Sequence, residues 1–273
     1  MNLSLVSIVV PVYNASSTLD NTIASIVGQT HNSWELLIYV DAPTDDSAAI
    51  AQKWSERDER IRLIVSQKNR GVVVGRNICI RLAKGHFLAF CDADDWWHPE
   101  KLSRQLDCMK KKQANLCYGS AIYVASQGNW QSQPARMPES LALSRLYQGN
   151  PIGLSTVVYD LDQLGKYYFK KLQVPYVHED YEYWLRVFQH VAIKPVYDRR
   201  PDTFVTIHLG TRSGNKWLAI RSQFFILRKV HHLSLYRTLF YMCSYFFWAL
   251  YKRGIHTWLV QLGWKTTDKN KLP

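Results

Sequence analysis

Short uninterrupted apolar runs alternate, through the first third of the chain, with longer segments whose apolar side chains recur every three or four residues. Val6–Val12 (VSIVVPV), Trp34–Val40 (WELLIYV), Ile61–Ser66 and His86–Cys91 read as buried strands. Ser16–Gly28, with Leu19, Ile23, Ile26 and Val27 on one face, reads as a helix, as do Ser47–Arg57 and Val72–Ala83. Strands alternating with helical segments predict an α/β fold with a mostly parallel sheet. Ligands in such open sheets bind beyond the carboxyl ends of the strands. Tyr13, Asn14, Asp41, Asp92 and Asp94 all follow predicted strands, so they are expected to line one crevice.

The richest chemistry lies at the fourth strand end, in CDADDWWHPEKL from Cys91 to Leu102. Asp92, Asp94 and Asp95 are close enough to repel one another unless a cation or hydrogen-bond donors compensate them. Hard oxygen ligands suit magnesium or manganese, and magnesium is usually held by one or two carboxylates plus substrate phosphates. An acidic turn that caps a helix starting near Pro99, with Asp95 as the cap, explains the same residues without a metal. A second acid pair, Glu179-Asp180, opens a segment with Tyr183, Trp184, Val187 and Phe188 on one face. Acids are favoured in a first helical turn even without chemistry.

These stretches taken together resemble a known family. VSIVVPVYNAS, the Asp41 turn, NRGVVVGRNICIRLAKGHFLAFCDADDWWHPEKL from Asn69 to Leu102 and HEDYEYWLRV from His178 to Val187 are similar, in order and approximate spacing, to the family 2 glycosyltransferases. The resemblance implies a GT-A fold and an inverting, nucleotide-sugar-dependent reaction. It implies that Pro11, Tyr13 and Asp41 hold the base and ribose, with Asp92 near the ribose hydroxyls and Asp94 on a Mn2+ or Mg2+ ion bridging the donor diphosphate. Asp180 takes the position of the general base, and Glu179 beside it orients the acceptor or the helix. Arg76, within the Gly71–Asn77 segment beneath the nucleotide, is open to two readings: a partner of Asp41 or a phosphate, or a buried arginine bridging two strand ends. His208 and Arg212 (TIHLGTRSG) match a loop that closes over the diphosphate; a packed or capping histidine fits His208 equally well. Trp96, Trp97 and His98 are candidates for the sugar-stacking wall of an acceptor site, or for sealing the core beneath it. Val40-Asp41-Ala42-Pro43 departs from the family's adjacent acid pair, and Asp45 or Asp46 is left as a cap for the next helix.

Charge adds a partner. The chain of 273 residues carries a net +12, yet from Arg212 onward there are 11 Lys or Arg and one acid, Asp268. The preceding part is nearly balanced, with 23 basic and 21 acidic residues. A basic tail argues against nucleic acid, which needs the charge spread over a docking face, and for anionic lipid or a pyrophosphate-bearing acceptor. Trp217, Ile220, Phe224 and Leu227 fall at helical spacing, with Arg221, Arg228 and His232 on another side. Leu239–Tyr251 (LFYMCSYFFWALY) is uncharged but shorter than the roughly 20 residues a crossing needs. Interfacial association, or a helical hairpin packed on the catalytic domain, are the two expectations. The organisation expected is a catalytic domain over 1–212, its nucleotide-sugar half to about 105 and acceptor half beyond, then a C-terminal helical, basic, aromatic-rich extension over 213–273.

No N-terminal signal is read in Met1–Leu5, and the five scattered cysteines suit reduced, mostly buried thiols of a cytosolic protein. Ser126–Pro138 is the expected mobile loop. The function expected is an inverting hexosyltransferase at the cytoplasmic face of a bacterial inner membrane. It would move glucose or galactose from a UDP-sugar donor to a polyprenyl diphosphate-linked sugar in O-antigen or capsule assembly. Two other classes fit less of the sequence: a sugar-nucleotide nucleotidyltransferase, which lacks a glycine-rich basic phosphate loop here, and a non-catalytic membrane-surface protein, which has no need of Asp94 and Asp180.

Overall fold

The computed structural model describes residues 4–126, 131–135, 137–172, 179–207 and 216–245. Alternation in the first part resolves into β1 (Val6–Val12), α1 (Leu19–Val27), β2 (Trp34–Asp41), α2 (Ser47–Ser55), β3 (Ile61–Ser66), α3 (Val72–Leu82) and β4 (Phe87–Phe90). There follow β5 (Trp96–Trp97), α4 (Lys101–Lys112), β6 (Leu116–Ala125), α5 (Leu143–Tyr147), β7 (Val157–Asp160), α6 (Leu161–Leu164), α7 (Glu179–His190), β8 (Pro195–Ile207) and α8 (Lys216–Phe225). One sheet runs β3-β2-β1-β4-β7-β6-β8-β5. β3, β2, β1 and β4 are mutually parallel, as expected. The other half is mixed, because β7 pairs antiparallel with both β4 and β6, and β5 antiparallel with β8.

Alternation along each strand divides the core in two. Val9, Leu37, Tyr39, Leu88 and Phe90 face α3 and α7, joining Trp184, Leu185 and Val187. Ile8, Val10, Leu36, Ile38 and Ala89 face α1, α2 and α4, with Leu19, Ile23, Ala51 and Leu102. Both faces are covered, which is why these strands read as continuous apolar runs. Gly75 sets how closely α3 approaches: a Cβ there would sit 2.5 Å from the Tyr39 ring. Its absence brings the next residue, Arg76, down onto the sheet edge.

Beyond the sheet the chain stays attached to the domain. Ile226 and Leu227, fully buried, belong to the same core as Trp184. Among the described residues of 216–230 the buried positions are Ser222, Gln223, Ile226 and Leu227; of the expected Trp217, Ile220, Phe224 and Leu227 stripe, Leu227 is buried, Ile220 and Phe224 are half-buried, and the Trp217 side chain lies outside the described residues. A π-helical turn over Ile226–Val230 shifts the helical phase by about one residue. Residues 235–245 form a further helix, which packs Tyr241 on Tyr147 at 5.1 Å between ring centroids. Among the described residues no helix is long and apolar enough to cross a membrane. Cys79, Cys91 and Cys117 are buried and free, Cys108 is half-buried and Cys243 exposed. Of the expected mobile loop, residues 127–130 and 136 lie outside the described residues, while Ser132 and Ala135 hydrogen-bond back to β6.

Candidate active site

Two cavities open at the carboxyl ends of the parallel strands, and Arg76 and Asp92 line both. The first, about 370 Å³, is walled by Pro11, Tyr13, Asn14, Ala15, Val72 and the Asp92–Asp94 turn. The second, about 430 Å³, is lined by Tyr123, Met137, Leu154, Ser155, Glu179 and Asp180.

The wall of the smaller cavity is zipped together by the loops after β1 and β2. Asn14, held at φ +47°, donates Nδ2 to Thr44 Oγ1 and accepts the Thr44 N–H, both at 2.9 Å. Asp45 accepts the N–H groups of Ser16 at 2.8 Å and Ser47 at 3.0 Å. Burial alone would raise its pKa, but these bonds outweigh it and hold the carboxyl down at about 2. Asp45 thus secures the start of α2, while Asp46 at the N-cap position makes no side-chain cap bond. Asp41 ends β2 and is buried. Its oxygens accept the N–H of Gly71 at 2.7 Å and of Arg70 at 2.9 and 3.1 Å. Gly71, at φ +84°, permits this tight entry to α3.

Arg76 does not reach Asp41. It is 4% exposed and donates Nη2 to Asp92 Oδ1 at 2.6 Å and Nη1 to Glu179 Oε1 at 3.2 Å. Burial disfavours its charge, yet Asp92 and Glu179 outweigh that and raise its pKa. It bridges the end of β4 and the start of α7. Its Nε, also buried, has no protein partner among the described residues. Asn77, expected nearby, instead clamps Phe169, donating to its carbonyl at 2.8 Å and accepting its N–H at 2.7 Å.

The acidic turn splits by role. Asp92 and Asp94 face the smaller cavity. Asp95 does not cap α4, whose N-cap position falls to Glu100. It is buried, accepting Ser155 Oγ–H at 2.5 Å and the Thr206 N–H at 3.2 Å. Desolvation first, then Asp92 and Asp94, push its pKa well up. Thr206 Oγ–H binds the Asp94 carbonyl, and Thr18 and Thr22 both bind that of Ala93 at 2.9 Å. The expected aromatic wall does not form at either cavity. Trp97 is in the core, its Nε1–H on the Ser155 carbonyl at 3.0 Å, because β5 alternates and pairs with β8. Trp96 stacks on Phe204 at 5.3 Å, and His98 accepts the Glu100 N–H at the start of α4. Tyr123, in the larger cavity and well exposed, is the aromatic face present there.

Asp180 sits in the first turn of α7, half-buried, on the larger cavity. Removal from water, then Glu179, push its carboxyl up to about 7, against the opposing pull of Arg76. A carboxylate tuned to neutral pH in a cavity is suited to proton transfer. Asn150 Nδ2–H binds its Oδ2 at 2.7 Å. Asn150, Ser155 and Thr206 were not singled out from sequence; the Gly149-Asn150-Pro151 turn signal was the one clue available. His208 and Arg212 lie outside the described residues. No group of three or more His, Cys, Asp or Glu that could alone enclose a metal occurs among the described residues.

Residues 7–165 match the model of Glycosyl transferase family 2. The chain belongs to that family. This family 2 chain is 30% identical over 242 residues to WfgD of Escherichia coli, a UDP-Glc:α-D-GlcNAc-diphosphoundecaprenol β-1,3-glucosyltransferase, with 88% of this chain and 92% of WfgD covered. It is 28% identical over 251 residues to the putative teichuronic acid biosynthesis glycosyltransferase TuaG of Bacillus subtilis, covering 91% and 97%. Among solved structures, Staphylococcus aureus TarS residues 1–349 with UDP-GlcNAc superposes at TM-score 0.67, with 18% identity over 88% of this chain and 71% of that one. The mannosyltransferase PcManGT from Pyrobaculum calidifontis, in complex with GDP-Man and Mn2+, gives 0.60 at 13% identity, covering 88% and 68%. Membership of family 2 makes the chain a nucleotide-sugar glycosyltransferase.

Proposed function

We propose that this chain is an inverting hexosyltransferase that moves glucose or galactose from a UDP-sugar to a GlcNAc-diphosphate-polyprenol in bacterial surface polysaccharide assembly. The observation that carries the reaction class is the pair of cavities meeting at Arg76 and Asp92, with metal-type carboxylates on one side and a neutral-pH carboxylate on the other. The identity to WfgD supports the donor and acceptor. The smaller cavity is the donor side, with Tyr13 offering a face to the base; Asp41, expected to line the same crevice, is buried outside its lining and instead fixes the Arg70–Gly71 turn that leads into Val72.

Asp94, with Asp92, would hold a Mn2+ or Mg2+ ion; two carboxylates on one turn beside an open cavity fit an ion whose other ligands are phosphates and water. When bound, that ion would offset charge on the departing diphosphate as a Lewis acid. Asp180 takes the proton of the acceptor hydroxyl while its oxygen bonds to the anomeric carbon. The carbon–oxygen bond to UDP breaks on the opposite face, UDP keeping the electron pair. Arg76 holds Glu179 at the start of α7 beside Asp180, while its own charge opposes the raised proton affinity of the base. Tyr123 gives the acceptor sugar a stacking face.

The C-terminal region holds the enzyme at a cytoplasmic membrane surface. In the helix over 235–245, Tyr236 is 80% and Phe240 59% exposed, with Leu235 and Leu239 beside them and Arg237 between. Apolar side chains flanked by cations suit an anionic interface.

The test is transfer from a panel of labelled UDP-sugars to a synthetic GlcNAc-diphosphate-lipid, with manganese or EDTA, in wild type, Asp94→Asn and Asp180→Asn. Metal-dependent product from one donor, at least about a thousandfold lower in both variants, is expected. Undiminished product in Asp180→Asn rejects the base, and no product from any UDP-sugar rejects the donor. Cosedimentation of the full chain with anionic vesicles should fall in Tyr236→Ser/Phe240→Ser; equal binding rejects the membrane role.

A further inference from the structure

We infer that Asn150 is a positioning residue for Asp180, holding the carboxylate by an uncharged hydrogen bond so that one oxygen is aimed for proton transfer; the inference rests on the proposed role of Asp180 as base. Two contacts fix the carboxylate: the Tyr181 N–H on Oδ1 at 2.8 Å and the Asn150 Nδ2–H on Oδ2 at 2.7 Å. The Asn150 amide is itself oriented, since its Oδ1 accepts the Ile152 N–H at 3.3 Å and thereby turns the donor end towards Asp180.

The segment carrying it is anchored at both ends of the site. Gly149, at φ +137°, turns the chain out of α5, and a proline at 151 disfavours helical backbone at the preceding Asn150. Five residues after Asn150, Ser155 accepts the Asp92 N–H at 3.2 Å and donates to Asp95. One short segment therefore ties the base to the acidic turn across the larger cavity, and small displacements of a base are costly in rate.

The chemistry of an amide suits the place. Among the described residues, the charged groups around Asp180 are Glu179 on α7, Arg76 on α3 and Asp92 after β4. Arg76 is engaged by Glu179 and Asp92 and makes no hydrogen bond to Asp180. A lysine or arginine in place of Asn150 would favour the anion strongly and draw its proton affinity below the working range. The amide orients the same oxygen at a fraction of that electrostatic effect.

The experiment measures kcat and KM for both substrates across pH in wild type, Asn150→Asp, Asn150→Ala and Asp180→Asn. Asn150→Asp keeps the acceptor for the Ile152 N–H and the side-chain shape but faces the base with a carboxylate. Its acid limb in kcat should move up by about one pH unit or more, from the like charge. In Asn150→Ala, kcat should fall about tenfold to a hundredfold with both KM values within about twofold. An unmoved limb in folded Asn150→Asp, or a loss carried by KM, overturns the inference. If Asp180→Asn is inactive at the same time, the base reading stands and Asn150 alone is rejected; an active Asp180→Asn removes both. Should Asn150→Ala fail to fold, Asn150→Asp decides the matter.

Discussion

The two cavities handle carboxylates in opposite ways. On the side of the β1 and β2 loops, Asp45 and Asp41 are met by main-chain N–H groups, and Asp45 is held ionised down to about pH 2. On the α7 side, Asp180 also accepts two hydrogen bonds, but it loses water and faces Glu179, and its carboxyl rises to about 7. The same functional group is a fixed structural anion on one side and a proton acceptor on the other. Surroundings, not residue type, make the difference, and among the described residues Arg76 is the one cation that lines both.

The strongest way to break the contrast is to remove that cation. Arg76→Met leaves Asp92 and Glu179 facing each other unpaired and should destabilise the protein by about 3 kcal/mol. It should also weaken UDP-sugar binding and lower kcat together, measured by urea unfolding and by kinetics. Stability unchanged within error would mean the two ion pairs are replaced by water at no cost. Next in size is Asp180→Asn read as a stability variant. The folded pKa lies above the unfolded value, so the folded state binds the extra proton, and the ionised residue costs stability increasingly from about pH 4 to 7. Asp180→Asn should therefore be more stable than wild type by roughly 2 kcal/mol at pH 8, allowing for partial solvation, and nearly equal to it below about pH 4. A melting temperature lower than that of wild type at pH 8 would contradict the assignment. The smallest effect sharpens the other side. Asp45 has its folded pKa depressed, so its contribution is present above about pH 4 and lost as pH falls towards 2. Asp45→Ala should cost about 1 kcal/mol at pH 7 and progressively less on acidification, with kcat little changed.

Much of this was legible in the chain, and the reason differs by region. β1 to β4 are buried on both faces and parallel, so their apolar runs announced them and the residues after them. Hence the strand-end positions of Tyr13, Asp92 and Asp94 were legible, and Glu179 and Asp180 as the first turn of an amphipathic helix. Pairing beyond β4 was hidden, because β7 enters antiparallel and β5 is two residues long. That short strand is why the sequence left Trp97 open between an acceptor wall and the core; it is core. The alternative of Asp95 as a cap could not be decided from sequence because its partners, Ser155 and Thr206, lie 60 and 111 positions away. No local pattern reports contacts at such distance. Asn150 stayed unseen for the same reason.

The chain leaves the sheet at β4 and re-enters it at β5, at the edge beyond three intervening strands, and the Asp92–Asp95 turn is the span between. Helix α1 holds it from one side through Thr18 and Thr22, and Ser155 and Thr206 hold it from the other. Such a span is a strut rather than a flap: the entropy of ordering it is spent once, in folding, and none is left to be lost at each turnover. Slow amide exchange at Asp92 and Asp95 is the expected signature.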